Sequence, residues 1–563
     1  MGFVMVGVRP TATVAFLATT LSAVGCGSQA SADAGALSSS GSGASSSSGT
    51  ASSSSGGSSD AGNGVGGSID SGSESGGADA TDSGLDSAPP GENGWGTPVD
   101  GGVPFSGSTV MGTATVTRGS SAGQIGPGFA GFSFEKTHMT NGSFTGQNSA
   151  MIALFKLVGP TVLRIGADDV DVCEWDPTAL PGGGGPPYSH SIGTADVDDL
   201  GAMLTAAGAR VIYGVNFHTA TPASSAAEAA YVTTHLGANV YGFEIGNEIN
   251  RYGSWTTLRP TWESFATAIL AAAPGAHLIG PAAGGGDALS LTTPFAEEEA
   301  KKNLILLTQH YYAGTANQDT VAYYVNRLLT VDPDPPTSQD GLIGTLTTTN
   351  AAAVANAIPD GFRLGECNTF ADHGQDGVSN ALISALWSLD FMFTSAQYGA
   401  SGVNFHGGET GMDGNTPFYY SPITETDGVV TGVAPLFYGM LLFNLAGPGQ
   451  ALATTAAAGN VDFTAYALER TDGATSVVLN NKDTTSGVQA TVDVGTAVAS
   501  ASAIYLQGPT PASLTATSGM TLAGAGITPG GAWNRNPPYA LSTSGSTVSV
   551  LVPPASAALV RVQ

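Results

Sequence analysis

Val240-Tyr-Gly-Phe-Glu-Ile-Gly-Asn-Glu248 decides the fold. Val240, Phe243 and Ile245 favour a strand, and the glycines keep the backbone thin, as a strand packed on both faces requires. The run closes on Asn247-Glu248. A carboxylate at the end of a buried strand is costly unless it is paired, hydrogen-bonded or used in chemistry. Gly361-Phe-Arg-Leu-Gly-Glu366 has the same shape, a short apolar run ending in a glutamate.

Working outward from these two, eight runs read as strands: Gly128–Glu135, Thr161–Gly166, Arg210–Asn216, Val240–Asn247, His277–Pro281, Asn303–His310, Gly361–Glu366 and Gly402–His406. Ala-rich segments of helical spacing fall between them, at Asn148–Val158, Val197–Ala207, Ser225–Leu236, Trp262–Ala273, Asp319–Thr330 and Ser379–Tyr398. Strand alternating with helix marks a parallel sheet, and eight such strands predict a closed (β/α)8 TIM barrel over residues 121–440. The fifth unit is the weakest link: Gly284-Gly-Gly-Asp287 offers a turn and a helix cap, but the helix after it is poorly marked.

After about 440 the helical rhythm stops. Ser476–Asn480, Val488–Val494, Ala501–Leu506, Thr547–Leu551 and Ala557–Val562 are strand-like, with Gly, Pro and Asn turns between them. They predict a C-terminal β-sandwich over 441–563. Val110–Thr117 alternates apolar and polar and has no place in the barrel, so residues 105–120 are assigned to the sandwich as an N-terminal strand.

The start of the chain reads differently. Residues 1–26 carry Arg9, a short apolar core at Val14-Ala-Phe-Leu-Ala18, and Ala23-Val-Gly-Cys26, which resembles a lipoprotein box. An export signal is expected, either of lipoprotein type with Cys26 lipidated or of the ordinary cleaved kind. Residues 27–104 are Ser, Gly, Ala and Asp with few large apolar side chains, so a flexible linker is expected. The expected location is the cell envelope, or the medium if the signal is simply cleaved.

The 563 residues include 44 Asp and Glu against 16 Lys and Arg, for a formal net charge of −28. That balance excludes nucleic acid or an anionic membrane surface as a partner, because both need clustered cations. Membrane contact is expected only through a lipid on Cys26, and the chain is expected to act as a monomer. Cys173 and Cys367 could form a disulfide, but they follow strands set well apart around the barrel. Two free, buried thiols are expected, because a bridge needs Cα atoms within about 7 Å.

In such a barrel the chemistry sits at the C-terminal ends of the strands. There the sequence places Glu135, Arg164, Asp168, Asn216, His218, Asn247, Glu248, His310, Tyr311, Tyr312, Glu366, Asn368 and His406. Carboxylates, amides, imidazoles and aromatic rings around one mouth suit a sugar. Glycoside hydrolysis needs one protonated and one ionised carboxyl group. Strands four and seven face each other, which predicts Glu248 as acid/base and Glu366 as nucleophile. Asn247 stands beside Glu248 to bind the 2-hydroxyl, and Tyr312 or Tyr311 donates to Glu366. Arg164 is read as an internal ion-pair partner, and His310 and His406 as either structural or functional. Trp175, Tyr188 and Trp255 are candidates for lining the cleft. No metal-ligand spacing, dinucleotide loop or phosphate loop occurs, so no cofactor is expected; Gly182–Gly185 reads as a plain loop.

At these residues the chain resembles glycoside hydrolase family 79, the β-glucuronidases and heparanase-like enzymes. The resemblance runs over about residues 108–563 and rests on Gly131-Phe-Ser-Phe-Glu135, Leu163-Arg-Ile-Gly166, Phe243–Glu248, Gln309-His-Tyr-Tyr312, Gly365-Glu-Cys-Asn368, Ala385–Asp390 and Gly402–His406, with Val478-Leu-Asn-Asn-Lys482, Gly519–Ala525 and Ser556–Val560 in the tail. It implies a retaining β-glycosidase, most simply a β-glucuronidase, with Glu248 and Glu366 in the roles above and with Glu135 and Asn247 holding the sugar in subsite −1. The chain departs from that pattern at Ala167-Asp168-Asp169 and at Ala371-Asp372-His373-Gly374. Extra acids are unfavourable beside an anionic sugar unless protonated or paired. This opens two alternatives, a neutral β-glycoside or a 4-O-methylated uronide. A third reading is a tethered carbohydrate-binding lipoprotein without catalysis.

Overall fold

The computed structural model describes residues 95–182, 189–285, 288–334, 341–410 and 416–563. The expected export signal with Cys26, the linker up to residue 94, Tyr188, Asp287 and most of the loop at 182–185 lie outside the described residues.

Eight strands close a parallel barrel: β1 (Ala130–Glu135), β2 (Val162–Gly166), β3 (Arg210–Val215), β4 (Val240–Ile245), β5 (Leu278–Ala283), β6 (Leu304–Tyr312), β7 (Phe362–Asn368) and β8 (Ala400–Gly407). β8 pairs back onto β1, with Phe405 opposite Phe132. The barrel strands are buried along nearly their whole length, which is why each reads as a continuous apolar run rather than as an alternation. The fifth unit does carry its helix, Ala288–Glu299.

The helices depart from expectation in three places. Trp255–Ala272 starts seven residues before the expected Trp262, because Pro260 lies inside it and reads as a breaker. Leu342–Ala355 was not legible, since its Thr-rich middle has weak helix propensity. Pro435–Ala446 runs past the expected boundary at 440. It is buried almost all round, so no polar stripe betrays it as a helix.

An eleven-stranded sheet forms the second unit and curls over its own core of Val116, Leu452, Val477, Leu479, Val488, Val492, Val550 and Val560. Thr109–Ile125 belongs to it, running parallel to Gly487–Asp493 and antiparallel to Gly449–Ala457. Residues 95–104, the described part of the expected linker, meet the sheet. The Trp95 indole donates to Ser502 Oγ at 2.8 Å, Arg561 lies over its ring, and Val103 joins the sheet's core. Three isolated apolar residues, Trp95, Val99 and Val103, were hidden by their polar surroundings.

Barrel and sheet are joined by a buried polar knot. Asp390, on the helix Leu382–Gln397, meets Lys482 Nζ at 2.6 Å and accepts from Thr464 at 2.6 Å, Tyr466 at 3.0 Å and Asn480 at 3.1 Å. Two of the segments behind the family resemblance, Ala385–Asp390 and Val478–Lys482, therefore meet in space. Cys173 and Cys367 are both free and buried. Among the described residues, no helix is long and apolar enough to cross a membrane.

Candidate active site

β4 ends at Ile245, and the chain then turns through Gly246 at φ +80°. Glu248 itself takes φ +44°, a left-handed conformation that a side chain with a Cβ adopts only under constraint. Its N–H is pinned to Ala282 O of β5 at 2.7 Å, and the turn Ile249–Tyr252 follows. On the far side of the mouth, Glu366 sits in β7 paired in register with His310 of β6. The two carboxylates are 7 % exposed each, and with His310 they offer atoms that all lie within 4.8 Å of one another.

Each carboxylate has its own set of partners. Glu366 Oε2 accepts from Arg164 Nη1 at 2.8 Å, and Oε1 accepts from the Tyr312 hydroxyl at 2.9 Å. Burial alone pushes the Glu366 carboxyl up, but His406, His310, Arg164 and the Tyr312 hydrogen bond outweigh it and hold it well below the usual carboxylate range. His406 is itself pushed down by burial, and the Arg164 guanidinium bonds Glu366 directly. On the other carboxylate, Glu248 Oε1 lies 3.1 Å from His310 Nδ1, and Oε2 is in contact with Arg251.

Arg164 is fully buried and spans the barrel, as an internal ion-pair partner would. Besides Glu366 it holds Glu244 at 2.6 Å, Asn247 Oδ1 at 2.7 Å and Ser133 at 3.2 Å. Asn247 is thereby fixed from one side, and its Nδ2 donates to Asp168 at 2.9 Å. Asp168 also meets Arg251 at 2.9 Å, so the acid that departs from the family pattern is paired. Asp169 accepts from Thr137 and offers its N–H to Glu135 Oε2 at 2.8 Å. Burial first, then Asp169, Asp168 and Glu366, push the Glu135 carboxyl well up. Glu135 Oε1 lies 3.6 Å from His406 Nε2.

A cleft of about 1040 Å³ gathers Glu135, Asp168, Glu248, His310, Tyr311, Tyr312, Glu366 and His406. Asn247, behind them, is only 3 % exposed. Of the two candidate tyrosines, Tyr312 makes the bond to Glu366; Tyr311 borders the cleft, but its ring stacks on Phe391 at 5.9 Å. Asn216 is spent on its own loop, accepting from three backbone N–H groups, and Asn368 is spent on the carbonyls of His406 and Tyr420. His218 stacks on Tyr252 outside that lining. Trp175 packs on Tyr231, and Trp255 on Trp262 and Phe295, so neither lines the cleft.

The aromatic wall comes instead from Phe418 and Tyr420, stacked at 5.2 Å and leaning on His406 and Tyr312. The signal for them was the run Pro417-Phe-Tyr-Tyr420 just after the eighth strand. Arg251, three residues beyond Glu248, carried no signal at all.

Glu248, His310 and Glu366 are also spaced to share a divalent cation, and two oxygens with an imidazole suit zinc. Those oxygens are already engaged by Arg251, Arg164 and Tyr312, and a cation would have to displace these contacts.

No family model matches the chain, and no curated protein matches it. Solved structures do. A 4-O-α-L-rhamnosyl-β-D-glucuronidase from Fusarium oxysporum 12S superposes with a TM-score of 0.64 at 19% identity, over 80% of this chain and 99% of that one. A family 51 arabinofuranosidase from Xanthomonas axonopodis pv. citri gives 0.55 at 17%, over 81% and 100%. A bifunctional glucanase-xylanase from a metagenome library gives 0.57 at 13%, over 80% and 99%. At these identities the likeness is one of fold, a barrel with an attached sheet unit found in glycoside hydrolases.

Proposed function

We propose that the chain is a retaining β-glycosidase. Glu248 protonates the leaving oxygen while the Glu366 carboxylate attacks the anomeric carbon, so the glycosidic bond breaks and a glycosyl ester forms. Glu248, now ionised, takes a proton from water, whose oxygen displaces Glu366 and frees the sugar with its configuration retained. The observation that carries this reading is the spacing: one oxygen of each glutamate lies within 4.8 Å of the other. A separation of that order is the retaining one, roughly 5–5.5 Å between carboxyl groups against roughly 6.5–9.5 Å in inverting enzymes.

β-Glucuronides are the proposed substrate class, supported by the family resemblance and by Glu135 in the cleft, whose carboxyl burial pushes well up. A second reading, a neutral β-glycoside, draws support from the lining. Among the described residues, Glu135, Asp168, Glu248, Asp334, Glu366 and Asp372 face two guanidinium groups, Arg251 and Arg327. The experiment is hydrolysis of a chromogenic β-glucuronide and β-glucoside side by side by the full chain and its Glu366→Gln variant, with the anomer of the first product followed by NMR. Full turnover by the variant, or an inverted first product, would sink the mechanism.

Export and lipid attachment through Cys26 are proposed for the same protein, acting as a monomer at the cell envelope. Labelling with palmitate that persists in Cys26→Ala would count against the anchor.

A further inference from the structure

Taking Glu248 as acid/base, as proposed above, it must offer a carboxyl oxygen to the leaving group. In this structure neither is free. Oε1 faces His310 Nδ1, and Oε2 faces Arg251. His310 is locked in the barrel with a side chain 1 % exposed, whereas the Arg251 side chain is 55 % exposed, on a short turn at the cleft wall. Of the two partners, the arginine is the one an entering substrate can reach.

The guanidinium is also paired with Asp168 at 2.9 Å, so on leaving Glu248 it stays at the cleft wall, three residues along the chain from Glu248. It is also the accessible cation of the cleft among the described residues. Arg327, the other one, is 18 % exposed and tied to Ala313 O at 2.7 Å and Asp334 at 3.1 Å. A planar fork of donors suits a carboxylate or sulfate bidentately. We infer that Arg251 is a specificity residue for the leaving-group side: it leaves Glu248 to bind an anionic group, a carboxylate or sulfate, on the unit being released. The acidic lining elsewhere makes this the place in the cleft where such an anion is matched.

The test uses two fluorogenic substrates with the same sugar, one releasing 7-hydroxycoumarin-3-carboxylate and one releasing the neutral 4-methylumbelliferone. The full chain is compared with Arg251→Met and Arg251→Lys, each checked for an unchanged unfolding transition. The ratio of kcat/KM, anionic over neutral, is expected to fall at least tenfold in Arg251→Met and to be partly kept in Arg251→Lys. An unchanged ratio overturns the inference, since a merely structural arginine would depress both substrates alike. Binding of the free coumarin carboxylate, followed by its fluorescence, gives a readout that does not depend on turnover. It is expected to bind the parent chain at least tenfold more tightly than 4-methylumbelliferone does, and to lose that advantage in Arg251→Met. Equal binding of the two coumarins by the parent chain overturns the inference whether or not any glycoside is cleaved. Coumarin selectivity without turnover of any glycoside would instead overturn the glycosidase reading alone.

Discussion

A Cβ added at Gly284 would stand 1.9 Å from Oε1 of Glu248. The glycine is clamped there by Asn250, which donates to its carbonyl at 2.8 Å and accepts its N–H at 3.1 Å. The atoms in the way are the far end of a flexible side chain, so the glutamate moves and the fold does not. Gly284→Ala is expected to leave the protein folded, while kcat falls roughly a hundredfold because Glu248, the proposed acid/base, is displaced by an ångström or more. Unfolding curves and kinetics on the same preparation decide it; retained activity would show that the position of Glu248 is not critical.

Arg164 is the common partner of Glu244 and Glu366, and all three are buried. Arg164→Met leaves two buried carboxylates without their cation. Breaking such a network typically costs roughly 3–5 kcal/mol. Denaturant unfolding at neutral pH is expected to show a loss of that size, and a variant as stable as the parent would mean that the Arg164 ion pairs do not stabilise the barrel.

Tyr312→Phe removes one of the groups that hold Glu366 ionised. A hydrogen bond to a charged group contributes roughly 1.5–3 kcal/mol, so kcat is expected to drop about tenfold to a hundredfold with KM little changed. The sign of the pH effect follows from the depression of Glu366: losing a donor to the charged form lets the carboxyl take up a proton at higher pH. The acid limb of the pH–rate profile is expected to move upward, and a limb that stays in place would remove Tyr312 from the support of Glu366, the proposed nucleophile.

Glu425 lies on the hairpin Ile423–Val433 with its side chain buried against Ser143, and its Oε1 lacks a hydrogen-bond partner among the described residues. Burial pushes its carboxyl up to about 7. The folded state thus holds this proton more tightly than the unfolded chain. The stability it confers is complete below the ordinary value near 4.5 and is lost as pH rises from there to about 7. Glu425→Gln is expected to match the parent near pH 4 and to exceed it by roughly 2–4 kcal/mol at pH 7. Parallel stability curves across that window would refute the assignment.

What could be read in the sequence was set by burial. The barrel strands announce themselves because both faces are covered, and Glu248 and Glu366 stand out as charges closing apolar runs. Tyr312 and His310 follow from their places at the end of β6. Arg251 does not, because a side chain that folds back over its own turn leaves no periodic trace. Phe418 and Tyr420 lie on a loop whose path only the tertiary fold fixes. Pro435–Ala446 and the Ala- and Thr-rich strands Gly449–Ala457 and Phe463–Arg470 were missed for a related reason: packing, rather than local propensity, makes them what they are.

The strand Thr109–Ile125 has a consequence for how the protein comes into being. Its two sheet neighbours, Gly449–Ala457 and Gly487–Asp493, are made only after the whole barrel, and Ser556–Val562 must still insert between Thr475–Asn481 and Ala501–Gln507. During synthesis this early strand waits with both edges open while some three hundred residues pass. Unpaired edges of that length are sticky, so the nascent chain depends on being shielded until the distant segments arrive to clasp it.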